Sequence, residues 1–220
     1  KNSILKNIME KLNLLHNIRK ETQSKITFFN DLKIEIYDKV ISRREIVKPI
    51  LDYFGKIEYV NDCKVLPFEV VLEKCKNIII NYYEAIEDYN YSTIIGDCNF
   101  SNILIDKNEP NNIVFIDPRG YFGNSKVFGL PEYDYAKILY AISGYDNFNN
   151  SHFNITCINN NITFNIEKID YEEIVLNKYF NKVHGAFMVI NWLSLPEYNK
   201  NHLWKCIASY YHGLYLGTLL

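Results

Sequence analysis

Asp97, Asn102 and Asp117 stand out in a chain otherwise rich in Ile, Asn, Lys and Tyr. Asp97 follows Gly96 at the end of the strand-like run 91–95, and Asn102 lies five residues further on, where Ile103-Leu104-Ile105 begins. A polar, turn-forming segment at 106–112, containing Pro110, separates that triplet from Ile113-Val114-Phe115-Ile116. Two short apolar runs around such a segment predict a β-hairpin. The hairpin returns the chain so that Asp117 ends up beside Asn102. An amide oxygen and a carboxylate converging there supply two hard oxygen ligands, suited to Mg²⁺ held together with phosphate oxygens. Asp97, one loop away, is placed to accept a proton from an attacking hydroxyl or to orient it. Such a set would form the catalytic half of a phosphoryl-transfer site. The simpler reading of Asp97 and Asn102 is a pair of turn-capping residues, since Gly-Asp and Ser-Asn pairs cap turns routinely. Asp117 at the far end of the hairpin and Asp134 at a helix start favour the chemical reading.

Other residues carry two readings each. Asp134 taken alone is an N-cap. Arg119, beside Asp117, is suited either to a phosphate or anionic substrate or to a salt bridge with a nearby carboxylate. Cys98 is either a plain small side chain or a nucleophile, and no partner base is evident. Tyr121, Phe122, Trp192 and Trp204 are pocket walls or aromatic core. His16, His152, His184, His202 and His212 share no ligand spacing and read as structural or surface residues.

The surrounding elements are mostly helical. Ile4, Ile8, Leu12 and Leu15 recur at three- and four-residue steps, which predicts a first helix of about five turns. A second pattern (Leu32, Ile36, Val40, Val47, Ile50) fills 29–54, with a break near Pro49. Val70, Val71, Cys75, Ile78, Ile79 and Tyr82 mark a third helix, running into the acidic stretch 84–88. Helical spacing resumes at Tyr135, Ile138, Leu139 and Ile142 and stops at Gly144. Alternation on both sides of Asn159-Asn160-Asn161 predicts a second hairpin over 152–166. Two last helices are expected at about 171–193 and 201–219, separated by Pro196. The fold class is therefore α+β, mostly helical, with a small β insert that carries the polar residues.

The segment Gly96-Asp97-Cys98-Asn99-Phe100-Ser101-Asn102, followed by a hairpin and Ile116-Asp117, resembles the catalytic core of the aminoglycoside phosphotransferase and choline kinase family, relatives of protein kinases. The run Ile116-Asp117-Pro118-Arg119-Gly120-Tyr121-Phe122-Gly123, with Tyr133-Asp134-Tyr135-Ala136-Lys137 downstream, is most similar to bacterial phosphotransferases linked with capsule and surface-polysaccharide biosynthesis. Leu12, Leu15 and His16 resemble the first helix after the family's small lobe. The resemblance implies a protein-kinase-like large (C-terminal) lobe across 1–220, with a catalytic loop at 94–106 and a metal-binding hairpin end at 113–120. It implies Asp97 as the catalytic aspartate, Asn102 and Asp117 as magnesium ligands and Asp134 as the brace of the catalytic loop. Arg119 and Tyr121 become candidate substrate or phosphate contacts. The implied cofactor is Mg²⁺, with ATP or GTP as co-substrate. The implied acceptor is a hydroxyl of a sugar, polyol or amino-alcohol. Two departures are plain: Ile95 stands where the family carries a histidine, and the chain has no glycine-rich loop or strand-borne lysine for the α- and β-phosphates. An N-terminal lobe or further domains upstream of Lys1 are expected to supply these. The alternative is a catalytically degenerate, kinase-like binding or scaffold module.

Composition narrows the classes further. The 220 residues carry 24 Lys+Arg against 26 Asp+Glu, a net charge of −2, which argues against broad binding to nucleic-acid backbones. Apolar residues make up 48 % and charged ones 23 %, a globular mixture ample for a core. No apolar run approaches the roughly 20 residues of a membrane span, and Lys1, Lys6 and Lys11 interrupt any signal-peptide pattern. Five scattered cysteines form neither a metal motif nor a disulfide framework. A cytoplasmic enzyme with reduced thiols is the expectation, its partners a nucleotide and a small acceptor.

Overall fold

The first apolar stripe winds into α1 (Asn2–His16) in the computed structural model, which describes residues 2–220. The buried positions are Leu5, Ile8, Met9, Leu12 and His16, while Ile4 is 37 % exposed. The helix has 15 residues, about four turns rather than five. After β1 (Lys20–Thr22), Ser24 opens α2 (Lys25–Lys33) by accepting a hydrogen bond from the Thr27 N–H at 3.1 Å. A π-helical turn (Ile34–Asp38) joins α2 directly to α3 (Lys39–Tyr53). Pro49 lies inside α3 and does not end it. Both Pro49 and Glu45, whose carbonyl the missing N–H would have met, are exposed, so water can satisfy that carbonyl.

Short strands β2 (Tyr59–Val60) and β3 (Cys63–Lys64) precede α4 (Phe68–Ile86). Its buried face is Phe68, Val71, Leu72, Cys75, Ile79 and Tyr83, and the left-handed Glu87 stops it. Then come β4 (Asn90–Thr93), β5 (Ile103–Ile105), β6 (Ile113–Phe115), β7 (Tyr121–Phe122), β8 (Ser125–Lys126) and β9 (Phe128–Gly129). The expected hairpin forms with Ile103 opposite Phe115 and Leu104 opposite Val114. Next are α5 (Pro131–Ile142) and α6 (Tyr145–Asn149), then β10 (Phe153–Ile158) and β11 (Asn161–Ile166), paired across the Asn159-Asn160 turn as expected. The helix anticipated over 171–193 is two, α7 (Glu173–Tyr179) and α8 (Lys182–Ser194). The cause is a capping box: Asn181 accepts from Val183 N–H and His184 N–H, and His184 Nδ1 accepts from Asn181 N–H. A 3₁₀ turn (Pro196–Asn199) leads to α9 (Leu203–Leu219).

The unit is α+β and 57 % helical. Its sheets are small: β1-β4-β9, β5-β6, β7-β8 and β10-β11-β2-β3, the last with one parallel pairing between β11 and β2. The six strands of two or three residues outside the hairpin β5-β6 are too short for a period-2 pattern to reveal. The larger core joins α2 to α5, α8 and α9 around Phe28, Val71, Phe187 and Trp192. A smaller core, Leu5, Ile8, Leu12, Cys98, Ile103, Ile113, Ile138 and Ile142, clamps α1 and α5 onto the β5-β6 hairpin. This second core fixes the segment that bears the polar residues. Among the described residues no helix is long and apolar enough to cross a membrane.

Candidate active site

Beyond β4 the chain turns at Gly96, whose φ is +77° and where a Cβ would lie 2.9 Å from Arg119 Cβ. Only glycine meets both conditions. Arg119 N–H donates to the Ile95 carbonyl at 2.8 Å, tying the hairpin end to this turn. Asp134 sits at the fourth residue of α5, one turn inside, and the N-cap position is Leu130 with no side-chain cap. The N-cap reading of Asp134 is thereby corrected. Its carboxylate is fully buried and accepts from Ile95 N–H (3.0 Å) and Gly96 N–H (2.6 Å). His16 Nε2, at the end of α1, lies 3.0 Å from the same carboxylate. Asp146, on α6, holds the next stretch by accepting from Phe100 N–H and Ser101 N–H. Neither Asp146 nor the pairing of His16 with Asp134 is visible in local spacing, because each joins elements far apart in sequence.

Two side chains converge on Asp97. Lys137 Nζ is 3.0 Å from one carboxylate oxygen, and the Asn102 amide nitrogen donates to the Asp97 carbonyl at 3.0 Å and to the other carboxylate oxygen at 3.3 Å. That leaves the Asn102 amide oxygen without a hydrogen bond among the described residues. Burial opposes the charge on Lys137, yet Tyr133 and Asp97 beside it raise its pKa above the ordinary lysine value. Ile116 N–H donates to the Asn102 carbonyl (3.0 Å), which pairs Ile116 with Asn102 and puts Asp117 one residue beyond that pairing. The Asp117 carboxylate is exposed and has no hydrogen-bond partner among the described residues. Asp117 itself has φ of 52°.

Arg119 takes the salt-bridge reading. Its two terminal nitrogens bind Glu35 Oε1 (2.7 Å) and Tyr133 OH (2.8 Å), and its guanidinium lies 4.0 Å from the centroid of the 44 %-exposed Tyr121 ring. Glu35 also accepts from Gly123 N–H (3.0 Å) and pairs with Lys39. Burial would push the Glu35 carboxyl up, but the charges of Lys39 and Arg119, with their hydrogen bonds, bring it down to about 2. Asp31, one turn earlier, accepts from Asn124 N–H and from Tyr91 OH. Asp31, Glu35, Lys39 and Arg43 thus form a polar stripe at four-residue steps along α2, the π turn and α3, and its first two members hold the 117–124 loop. Reading the helix by its apolar positions alone passed over this stripe, whose signal is the repeated spacing of charges.

A cavity of about 530 Å³ opens between these elements. Its charged wall comprises Asp97, Asp117, Lys39, Arg43, Arg119 and Lys137, and Tyr121, Tyr133, Tyr140, Tyr145 and Tyr198 add aromatic surface. Asn102 is not part of that wall. Of the other candidates, Phe122 and Trp192 are core, and Trp204 is exposed away from the cavity. The acidic stretch 84–88 does not reach it; Asp88 instead caps the turn into β4 through Asn90. Cys98 is buried under α1; burial, with Asp134 beside it, pushes its thiol well above the ordinary value and leaves no thiolate nucleophile.

The arrangement presents a carboxylate fixed at a cavity wall, a free carboxylate and an available amide oxygen nearby, and a surplus of cationic side chains. Among the described residues no group of three or more His, Cys, Asp or Glu could hold a metal by itself. An Asp117–Asn102 pair fits a hard divalent cation whose remaining ligands come from phosphate and water. No family model, curated protein or solved structure matches the chain.

Proposed function

We propose that the protein is a phosphotransferase that moves the γ-phosphoryl group of ATP or GTP onto a hydroxyl of a small acceptor, a sugar, polyol or amino-alcohol, and that this chain is the kinase-like lobe carrying the catalytic loop. The observation that carries the reading is Asp97: a carboxylate held by Lys137 and Asn102 on the wall of a cavity large enough for a monosaccharide, with the free Asp117 carboxylate on the same cavity. The resemblance of 96–102 and 116–117 to aminoglycoside phosphotransferases supports it.

In this reading the acceptor hydroxyl lies against Asp97. Its oxygen attacks the γ-phosphorus, the bond from that phosphorus to the bridging β–γ oxygen breaks, and the nucleoside diphosphate departs with the electron pair. The hydroxyl proton passes to Asp97, whose orientation the hydrogen bond from Asn102 and the ion pair with Lys137 maintain. Asp117 and the Asn102 amide oxygen would hold Mg²⁺, which supplies charge neutralisation on the phosphate oxygens. Asp134, His16 and Asp146 touch no substrate; they keep the 95–101 backbone in place.

Asp97→Asn preserves the shape and most of the hydrogen bonding and removes the base. In the protein extended upstream by its nucleotide-binding lobe, phosphoryl transfer from Mg-ATP to a panel of sugars and polyols, followed by ³¹P NMR, should fall by about 10²- to 10⁴-fold, the usual worth of a positioned general base. Turnover retained by Asp97→Asn would sink the reading, and so would a failure to bind Mg-ATP by the protein extended upstream of Lys1 to include a nucleotide-binding lobe.

A further inference from the structure

Three cations surround one tyrosine ring in the cavity wall. Lys39 Nζ and Lys137 Nζ each lie 5.9 Å from the Tyr133 ring centroid, and the Arg119 guanidinium lies 5.4 Å from it. Tyr133 cannot swing away: its hydroxyl accepts from Arg119 and donates to Asn191 Oδ1 at 3.1 Å. The countercharges are fewer. Lys137 is matched by Asp97, whereas Lys39 and Arg119 share the single carboxylate of Glu35. Arg43, also on this wall, is matched by Glu197 at 3.1 Å. The wall built from α3, α5 and the 119–121 segment therefore carries one positive charge more than its carboxylates balance. Asp117 is the remaining acidic group on the cavity, and it is the one assigned above to the divalent cation.

The surplus has donors to offer. An ammonium has three N–H bonds, and the carboxylates of Glu35 and Asp97 take one from Lys39 and one from Lys137. Both side chains are mostly buried, at 16 % and 13 % exposed, so their charge is weakly screened. A cationic acceptor would meet the wrong sign here.

We infer that the cavity binds a hydroxyl compound that also carries an anionic group, a phosphate monoester or a carboxylate, with Lys39 and Lys137 as its direct partners. This rests on the cavity being the acceptor site of the phosphoryl-transfer reading, and it sets aside amino-alcohols among the possible acceptors.

The test is equilibrium binding by calorimetry to the whole chain carrying Asp117→Asn, without nucleotide or metal: it is independent of turnover, and the substitution removes the charge that the cation would otherwise engage. The probes are glucose 6-phosphate, glucuronate, glucose and glucosamine at matched ionic strength. The two anionic sugars should bind about tenfold or more tightly than glucose, and glucosamine most weakly, since one charge-assisted hydrogen bond is worth about that factor. Their order identifies phosphate or carboxylate as the preferred group. Anion binding should weaken as salt rises while glucose binding stays constant. Lys39→Gln should erase the anion preference; Arg119 remains to neutralise Glu35 in that variant, and its melting curve shows whether it folds. Equal binding of all four sugars, preference for glucosamine, no binding of either anion, or an undiminished preference in folded Lys39→Gln would overturn the inference. Failure of phosphoryl transfer with anion binding intact would remove the kinase reading alone.

Discussion

Asp117 holds a left-handed backbone conformation, φ 52°, at the point where β6 ends and the loop to β7 begins. Asp and Asn enter that region more readily than other non-glycine residues, because their short polar side chains bond locally. Asp117→Asn therefore keeps the backbone preference and removes the charge. Its melting temperature should match that of the unmodified protein, while Mg-dependent kcat/KM should fall by about 100-fold or more, given that even outer-shell partners of a metal are worth about 10- to 100-fold. A variant as active as the parent would show that the carboxylate holds no metal. Asp97, Asn102 and Asp117 were legible in the sequence because their positions relative to a hairpin are set by local spacing. Lys137 was not read as a site residue: a lysine in a helix is ordinary, and its 3.0 Å approach to Asp97 exists only once α5 packs beside the 96–102 turn.

The helical segment from Lys25 to Tyr53 shows what a single periodicity leaves out. Its apolar stripe was read correctly as a core face, with Leu32, Ile36, Val40 and Val47 all buried. The charges at Asp31, Glu35 and Lys39 follow the same four-residue step, and on an exposed helix that step signifies nothing more than surface ion pairs. Here the stripe is turned inward, with Glu35 at 1 % exposure, and it anchors the 117–124 loop. Glu35→Ala leaves Arg119, Lys39 and the Gly123 N–H without their acceptor, a loss of about 3–5 kcal/mol by analogy with broken buried ion pairs. Hydrogen exchange should accelerate at 119–124 well beyond any change in β10 and β11. Uniform acceleration across both regions would mean that Glu35 stabilises the fold generally and does not specifically anchor the loop.

The two cores give the protein a definite response to acid. His212 is packed between Trp192, Phe164 and Tyr215, and neither ring nitrogen has a hydrogen-bond partner among the described residues. Burial, aided by Lys168, holds its pKa down at about 3. His184 is held at about 4 by burial, and its Nδ1 must stay unprotonated to accept from Asn181. In the unfolded chain both titrate near 6.5, so on acidification the unfolded state takes up protons that the folded state refuses. Stability should therefore decline from about pH 6.5 downward, on the order of 2 kcal/mol per histidine by pH 5. Glu35, depressed to about 2, adds a later loss as pH falls from 4.5 toward 2. His212→Phe should roughly halve the drop in urea midpoint between pH 7.5 and pH 5 without lowering the midpoint at pH 7.5. An unchanged drop would place the acid sensitivity elsewhere.

Sequence alone determined the elements whose cause is local: the apolar stripes of α1, α3 and α4, the two hairpins, and the polar residues in the turn between β4 and β5 and just past β6. It misjudged elements decided by their surroundings. Pro49 does not interrupt α3 because the carbonyl it strands is open to water, and the 171–193 segment is divided because Asn181 caps a new helix. Only the tertiary structure decided the site's electrostatics. Glu35, Lys39, Arg119 and Lys137 lie on three different segments, and charge interactions between them depend on distances and burial that no one-dimensional spacing contains. A carboxylate without its cations would be expelled to the surface; packed against two of them, it stays buried, charged and able to position the loop beside Asp117.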